Sequence, residues 1–272
     1  MDFKLPTRIE NSNKATYGRV LNIAGSDYMP GAAYLSSVST LKVGCGYCFL
    51  SSTERVINAV AAQTQNIVFI PVSHIPEHIN QADIIEIGCG LSQDSFAIDI
   101  FDTVISNAPK SIPLIIDADG LNILSKNPQF YTSKNFEKTI FTPHPKEAAR
   151  LLDCSLAEVL EDTEKAAFKI SKIYNCVTVL KTHRTIVTNP DGEKYINTTG
   201  NNCMAKAGSG DVLAGMIAGL AAQKMNIFEA ACLGVYLHGL CGDIAKEELT
   251  EYSVMAEDLI SYIPCAIKTL LI

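Results

Sequence analysis

Short runs of apolar, often β-branched residues alternate along the chain with longer segments whose apolar positions recur at helical spacing. The short runs predict strands at 19–25, 47–52, 66–71, 82–88, 113–119, 138–144, 176–182, 185–190 and 193–198. The longer segments predict helices at 31–44, 53–63, 94–108, 146–154, 156–174 and, with brief breaks, from Asp211 to the C-terminus. Buried strands that alternate with helices are typical of a largely parallel sheet covered by helices on both faces.

The last three predicted strands follow one another closely, unlike the others. The pair Asp191-Gly192 separates two of them, and Asp-Gly is a preferred turn between antiparallel strands. We therefore expect a short antiparallel hairpin near the C-terminal half of an otherwise parallel sheet. The chain shows no internal repeat, low-complexity stretch or linker-like shift in composition, so we predict a single domain over residues 1–272.

Composition and charge argue against some classes of partner. Hydrophobic residues make up 47% of the chain and charged residues 19%, as expected for a compact globular protein. The net charge of −7 argues against nucleic acid as a main partner, because phosphate backbones are bound by basic surfaces. We find no unbroken apolar run of membrane-spanning length and no signal peptide, so a cytoplasmic location without a membrane partner is expected.

The nine cysteines have no spacing that indicates a disulfide framework. They are interpreted as reduced, mostly buried thiols. Cys45 and Cys48 form a C-x-x-C pair within a glycine-rich apolar segment. Neither a second pair nor a redox context accompanies them, so a structural role is predicted.

Ligands of open α/β sheets bind beyond the carboxyl ends of the strands, and several predicted strands end in informative residues. Glycine turns follow two of them, at Gly25 and at Gly88-Cys89-Gly90. Asp117 and Asp119 end another strand. Two carboxylates at this edge are compatible with a divalent cation or a polar substrate, whereas Asp119 as a helix cap is an equally good interpretation.

His144 lies between Pro143 and Pro145, which fix an extended loop that no packing requirement obviously explains. This position makes His144 a candidate for substrate contact. Glu147 follows in the first predicted helical turn, where the helix dipole favours a carboxylate. Lys181 ends the next strand beside hydroxyl groups, a combination that suits phosphate oxygens, although a solvated lysine at the start of a hairpin is the simpler interpretation.

The segment Gly208-Ser209-Gly210-Asp211 indicates a phosphate-binding site more specifically than the residues above. Glycines at alternate positions before a helix expose backbone N–H groups at its positive end, where phosphate binds readily. A helix cap alone does not require these glycines. Asp211 stands beside this anion site, placed to take a proton from a hydroxyl that attacks a phosphate. The chain contains no Walker A motif, which excludes the P-loop class.

The G-x-G-D segment at a helix start resembles the ribokinase-like superfamily, and within it the ADP/ATP-dependent NAD(P)H-hydrate dehydratases. The matching segments cover nearly the whole chain in the family's order, and TPHPKE with GSGDVLAG is specific within the superfamily. They are Gly25-Ser26 with PGAAYLSSVSTLKVGCG, IGCGL, IDADGLNIL, TPHPKEAARLL, VLK with Thr185, and TGNNCMAKAGSGDVLAGMIAGLAAQ. The resemblance implies a ribokinase-like three-layer α/β/α sandwich.

The resemblance further implies repair of nicotinamide nucleotides. Such enzymes dehydrate the S-form of hydrated NADH or NADPH at the expense of ADP or ATP, with Mg²⁺ on the phosphates. Asp211 is implied as the base, with Gly208, Ser209 and Gly210 stabilising the transferring phosphoryl group. The hydrated dinucleotide is expected to contact Ala32, Gly90, His144 and Asp211. The adenine nucleotide is expected to contact Lys181, Thr182, His183, Arg184, Thr185 and Gly210. Glu147 is a candidate for water-mediated contact with the metal.

Two departures from the family pattern fall on the nucleotide side: Lys181-Thr182-His183, and Asn202-Cys203 in the loop before the anion site. Two other functions stay open, a vitamin-precursor kinase of the same fold and a non-catalytic adenine-nucleotide-binding module. The resemblance also implies a homo-oligomer, with a tetramer as one form. The apolar segment 253–272 is expected to pack in the core or between subunits.

Overall fold

The computed structural model describes residues 3–131 and 136–271. Its strands are β1 (Arg19–Ile23), β2 (Tyr47–Ser52), β3 (Val68–Pro71), β4 (Ile84–Ile87), β5 (Leu114–Ile116), β6 (Thr139–Phe141), β7 (Val177–Leu180), β8 (Ile186–Thr188) and β9 (Lys194–Ile196). They form one sheet in the order β3-β2-β1-β4-β5-β6-β7-β8-β9. Neighbouring strands in this order pair in parallel from β3 through β2, β1, β4, β5 and β6 to β7, whereas β8 is antiparallel to both β7 and β9.

Helices cover both faces of this sheet. They are α1 (Pro30–Lys42), α2 (Glu54–Ala61), α3 (Ile75–Ile79), α4 (Ser95–Asn107), α5 (Ala118–Lys126), α6 (Pro128–Tyr131), α7 (Pro145–Leu152), α8 (Leu156–Glu161), α9 (Thr163–Tyr174), α10 (Ser209–Ala222), α11 (Ile227–Leu249) and α12 (Ala256–Lys268). Consecutive strand residues point to opposite faces. Ile84 and Ile115 therefore pack with α10, α11 and α12, while Ile85 and Ile116 pack with α4, α5, α7 and α9. The predicted three-layer α/β/α sandwich is confirmed.

Several predicted strands end earlier than expected, because a helix begins where a longer strand was predicted. The strand predicted at 113–119 ends at Ile116, and α5 starts at Ala118. The strand predicted at 138–144 ends at Phe141, and His144 is the N-cap of α7. Polar residues expected at strand ends therefore lie at helix N-termini.

The predicted hairpin is present as β8 and β9. Gly192 adopts φ 94°, the left-handed conformation that the Asp-Gly turn requires. The side chain of Asn189 closes the turn, since its Oδ1 accepts hydrogen bonds from the backbone N–H groups of Asp191 and Glu193 at 3.1 and 3.0 Å. The antiparallel pairing of β7 with β8 adds a second turn, residues 181–185, at the edge of the sheet where the parallel strands end.

Helix α11 is long and apolar enough to cross a membrane by length and composition. Within the fold, however, 67% of its apolar window is buried, as in the core helix of a globular protein. The segment 253–272 also contributes to the core, since α12 buries Leu259, Ile260 and Ile263 against its neighbours. All nine cysteines are free thiols, and both members of the Cys45–Cys48 pair are buried.

Candidate active site at the carboxyl edge of the sheet

The segment between Lys206 and Asp211 forms the start of α10. Gly208 is the N-cap residue with φ 92°, and Ser209, Gly210 and Asp211 form the first turn. Asp211 is therefore inside the helix, and no side chain caps it. The amide of Ser209 donates to the carbonyl of Lys206 at 3.3 Å and the amide of Val212 to the carbonyl of Gly208 at 3.1 Å. The amides of Gly210 and Asp211 lie between them in the first turn, where a helix start can bind an anion.

Gly208 cannot be replaced at this turn without strain. A Cβ there would lie 2.5 Å from Leu35 Cδ1 and 3.0 Å from Ala256 Cβ. We expect Gly208→Ala to lower the free energy of unfolding by about 2 kcal/mol or more, because the left-handed backbone and the clash both oppose a side chain. Urea unfolding of the purified variant measures this.

Gly192→Ala is the matched control for this substitution. Gly192 has nearly the same φ, 94°, but a Cβ there would meet only Phe168 Cε2, at 4.0 Å. The control should lose about 1 kcal/mol from backbone strain alone. Equal losses for the two variants would contradict a steric requirement for glycine at position 208.

Lys181 brings a positive charge to this helix start. It follows β7, and its Nζ lies 2.6 Å from Asp117 Oδ1 in an ion pair. The Asp117 side chain is 1% exposed and that of Lys181 is 19% exposed. A Cβ built on Gly210 would lie 3.4 Å from Lys181 Nζ, so the ammonium group stands against the first turn of α10. An anion bound there would meet backbone N–H groups and a cation together.

Asp211 faces the same point from the helix. Burial, and secondly the nearby charge of Asp117, raise its pKa to about 6, while the Cys89 thiol and Lys181 oppose the rise. A carboxylate with this pKa is mostly ionised near neutral pH and is a stronger base than a solvated aspartate. The arrangement can remove a proton from a hydroxyl beside a bound phosphate.

The two carboxylates of the β5 end have different surroundings. Asp117 occupies the N-cap position of α5, but its side chain makes no capping hydrogen bond. Asp119 accepts from the Ser92 amide at 2.9 Å and from Gln93 Nε2 at 2.8 Å. The interpretation of Asp119 as a helix cap is wrong, because its oxygens tie the β4–α4 loop to α5 instead.

His144 and Glu147 form a capping box at the start of α7. Nδ1 of His144 accepts from the amides of Lys146 and Glu147, and Oε2 of Glu147 accepts from the His144 amide at 2.8 Å. His144 therefore has a structural role as a helix cap, which the sequence did not reveal. Burial raises the pKa of Glu147 above its ordinary value. Burial lowers the pKa of His144, which favours the neutral ring that a cap acceptor needs.

A cavity of about 720 Å³ opens beside this cluster. It is lined by seven of the residues predicted for the site: His144, Lys181, Thr182, His183, Thr185, Ser209 and Gly210. Arg184, Glu147, Gly208 and Asp211 are not among its lining residues. The hydroxyls of the turn are partly committed to structure, because Thr182 Oγ1 donates to the Arg184 carbonyl and Thr185 Oγ1 to the Thr182 carbonyl.

Ala32 and Gly90 lie outside this cavity and against each other. A Cβ built on Gly90 would lie 2.7 Å from Ala32 Cβ. Beside them, a second cavity of about 310 Å³ opens at the ends of β1 and β2. The Gly25 turn marks the position of this cavity in the sequence, but its polar lining was not predicted. That lining consists of Ser26, Asp27, Ser51, Ser52, Thr53, Ser92 and Asp94.

His238 is a further site residue that the sequence did not reveal. It lies within α11, lines the larger cavity and places Nε2 3.3 Å from Ser209 Oγ. No local motif marks it, since a histidine within an apolar helix is ordinarily a core residue. Burial lowers its pKa to about 4, so the ring is neutral around pH 7.

This depressed pKa predicts a loss of stability in acid. The unfolded chain binds a proton at His238 near pH 6.5, whereas the folded protein does so only near pH 4. Lowering the pH from 7 to 4 should therefore cost the wild type about 3 kcal/mol more than a His238→Gln variant. Urea unfolding of both proteins at the two pH values isolates the difference, because the other titrating groups are shared. Parallel stability curves would contradict burial of a neutral imidazole.

The loop containing Asn202 and Cys203 is held against α11. Asn202 Nδ2 donates to Glu251, Lys246 donates to Asn202 Oδ1, and Cys203 Sγ donates to the Gly242 carbonyl. Asn201 anchors the same loop through Asp243. The departure from the family pattern at these positions thus has local hydrogen-bond partners, and the loop lines the larger cavity.

Comparisons with known proteins bear on this site. A family model described as NAD(P)H-hydrate dehydratase matches residues 20–265. The ADP-dependent (S)-NAD(P)H-hydrate dehydratase of Neisseria meningitidis is 37% identical, over 88% of this chain and 81% of the relative. A bifunctional NAD(P)H-hydrate repair enzyme Nnr of Moorella thermoacetica is 36% identical over 98% of this chain. The chain spans about half of that relative's length, 52%.

Solved structures give the same picture. A ribokinase-like superfamily protein of Enterococcus faecalis superposes with a TM-score of 0.89 and 30% identity, covering 98% of this chain and 92% of the other. The ADP/ATP-dependent NAD(P)H-hydrate dehydratase of Bacillus subtilis, crystallised with ATP and Mg²⁺, has a TM-score of 0.85 and 30% identity. That match covers 98% of this chain and 94% of the other. The fold is ribokinase-like.

Proposed function

Because the chain belongs to the NAD(P)H-hydrate dehydratase family, we propose that it dehydrates the S-form of hydrated NADH or NADPH. ADP or ATP drives the reaction, and the products are NAD(P)H, phosphate, and AMP or ADP. The observation that carries this proposal is the meeting of Asp211, Lys181 and the Gly208–Gly210 turn beside a cavity large enough for a nucleotide.

The chemistry follows from the positions of these groups. The hydroxyl at C6 of the hydrated nicotinamide attacks the terminal phosphate of the nucleotide, and Asp211 accepts the hydroxyl proton. The amides of the first turn of α10 and the ammonium group of Lys181 stabilise the charge on the phosphoryl oxygens. The ring nitrogen then helps to break the C6–O bond of the resulting phosphate ester, which releases phosphate and leaves a cyclic iminium ion. Loss of a proton from C5 to solvent restores the dihydropyridine.

The turn between β7 and β8 is proposed to contact the adenine nucleotide through Lys181, Thr182, His183 and Thr185. Gly210, in the first turn of α10, is proposed to contact it as well. His144 and Asp211, together with Ala32 and Gly90, are proposed to meet the hydrated dinucleotide. Ala32 and Gly90 leave room for a ligand because neither presents a long side chain.

Mg²⁺ bound to the nucleotide would neutralise charge on the phosphates. The residues present fit an ion held mainly by phosphate oxygens. Both Glu147 oxygens lie near His144, at 2.8 Å from its amide and 3.3 Å from its Nε2, so Glu147 would reach the ion through water.

Incubation of the protein with hydrated NADH and ADP, and separately ATP, tests the proposal. The near-ultraviolet absorbance of the dihydropyridine ring should return in step with the release of one phosphate per ring restored. Hydrated NADPH is tested alongside. A stable phosphorylated product from a vitamin-precursor alcohol, without recovery of absorbance, would instead identify a kinase. Nucleotide binding without either reaction would identify a binding module.

A homo-oligomer in the cytoplasm is proposed as the working form, with a tetramer the state to be tested by light scattering during size-exclusion chromatography. Helix α12 does not require a partner to cover its apolar face, since that face packs against α1, α10 and α11 within the chain.

A further inference from the structure

A thiol and two carboxylates meet at the back of the candidate active site. One ligand atom each from Cys89, Asp117 and Asp211 lies within 4.8 Å of the other two. The residues come from the loop after β4, the end of β5 and the first turn of α10. Cys89 is fully buried and Asp117 is 1% exposed. Three potential metal ligands therefore converge from separate elements, two of them buried and Asp211 partly exposed.

The spacing of the Cys89 and Asp117 ligand atoms is close to what a tetrahedral ion needs. Cys89 Sγ lies 3.7 Å from Asp117 Oδ2. Bonds of typical length from Zn²⁺ to sulfur and to a carboxylate oxygen, at the tetrahedral angle, place those two atoms about 3.5 Å apart. Asp117 divides its oxygens suitably, because Oδ1 bonds Lys181 and Oδ2 faces the thiol.

Glu86 gives an independent indication of a ligand at this point. It lies on β4 and is fully buried, and its Oε2 has no hydrogen-bond partner among the described residues. Its Oε1 lies 3.6 Å from Cys89 Sγ, so the carboxyl group is directed at the cluster. A fully buried carboxyl group with an unpartnered oxygen next to the thiol indicates that a further polar or charged group belongs at this place.

We propose that Cys89, Asp117 and Asp211 bind a thiophilic divalent cation of the Zn²⁺ class, and that this cation inhibits the enzyme by occupying its base. On binding, the Cys89 thiol releases its proton to solvent and the sulfur lone pair forms the metal bond, so neither oxidant nor reductant is required. Two carboxylates and a thiolate against the one charge of Lys181 match a divalent ion. Mg²⁺ prefers oxygen ligands and is a different ion at a different place, on the nucleotide.

Titration of the metal-free, full-length protein with Co²⁺ tests the site without reference to activity. Thiolate-to-cobalt charge transfer should give an absorbance band that saturates at a single equivalent. The band should be absent from both Cys89→Ser and Cys89→Ala, whose folding is checked by thermal melting. Cys265→Ser removes the exposed thiol and is the matched control, which should keep the band. Loss of the band in the control alone, or its persistence in both Cys89 variants, would overturn the assignment.

The proposed inhibition by the cation rests on the proposed function. The metal site and the proposed function can nevertheless fail separately. Zn²⁺ should inhibit the dehydration, a chelator should restore it, and Cys89→Ser should need at least about tenfold more Zn²⁺ for the same fractional loss. A metal-free protein without dehydratase activity would reject the proposed function and leave the Co²⁺ result standing. An active enzyme without the Co²⁺ band would reject the metal site alone.

Discussion

Asp211→Asn should lower the turnover number of the nucleotide-driven dehydration by a factor of about 10²–10⁴, the usual contribution of a general base. The amide has nearly the same shape as the carboxylate, but it cannot accept the hydroxyl proton. The affinity for ADP or ATP should change little, because the amides of the α10 turn and Lys181 remain. Single-turnover rates and nucleotide titrations measure the two effects separately.

Asp119→Asn is the matched control for this change. Asp119 is a carboxylate on the same edge of the sheet, but its oxygens bond Ser92 and Gln93. Its replacement should cost far less turnover than replacement of Asp211. A turnover number within tenfold of the wild type for Asp211→Asn would show that another group accepts the proton.

Lys181→Met should destabilise the protein strongly as well as weaken nucleotide binding. The substitution leaves the carboxylate of Asp117, 1% exposed, without its partner at 2.6 Å. Breaking a buried ion pair from one side costs about 3 kcal/mol at the low end of the usual range, and that end applies because Lys181 is 19% exposed. For a chain of this length the melting temperature should fall by about 6–12 °C.

A double substitution separates charge from packing. In the Lys181→Met background, Asp117→Asn removes the orphaned charge and should recover most of the lost stability. Affinity for ADP or ATP should stay about 10–100-fold weaker in both proteins, because the ammonium group is missing from the phosphate site. If Asp117→Asn lowers stability further in this background, the pair does not behave as a buried ion pair.

The order of the elements could be predicted from the sequence because it depends on local pattern. Short apolar, β-branched runs predicted the nine strands of the described residues, and Asp191-Gly192 predicted the hairpin. Helical spacing predicted α1, α2, α4, α7 and α10 to α12, whereas α8 and α9 were predicted as one helix and α3, α5 and α6 were not among the predicted segments. The ends of β5 and β6 were misjudged. The residues after Ile116 and Phe141 carry the same polar and small side chains whether the strand continues or a helix begins, and helix capping decided between the two.

The glycine-rich segment 208–211 could also be recognised, because its two glycines, the serine and the acid are adjacent in the chain at the start of an apolar helical segment. The ion pair of Lys181 with Asp117 could not, since 64 residues separate the partners. The possible roles of His238 and Cys89 were missed for the same reason. No local motif marks either residue, and each contacts site residues that are distant in the chain.

The sequence by itself thus determined the α/β architecture, the glycine turn proposed to bind an anion and the acid beside it, since each depends on residues adjacent in the chain. Only the tertiary structure decided which charges meet. Parallel pairing brings the ends of β4, β5 and β7 to one edge, and α10 places Asp211 against them. Burial there raises the pKa of Asp211 and lowers that of His238. The same folding places the Glu86 carboxyl group against the Cys89 thiol. These effects depend on distance and desolvation, which a linear pattern does not contain.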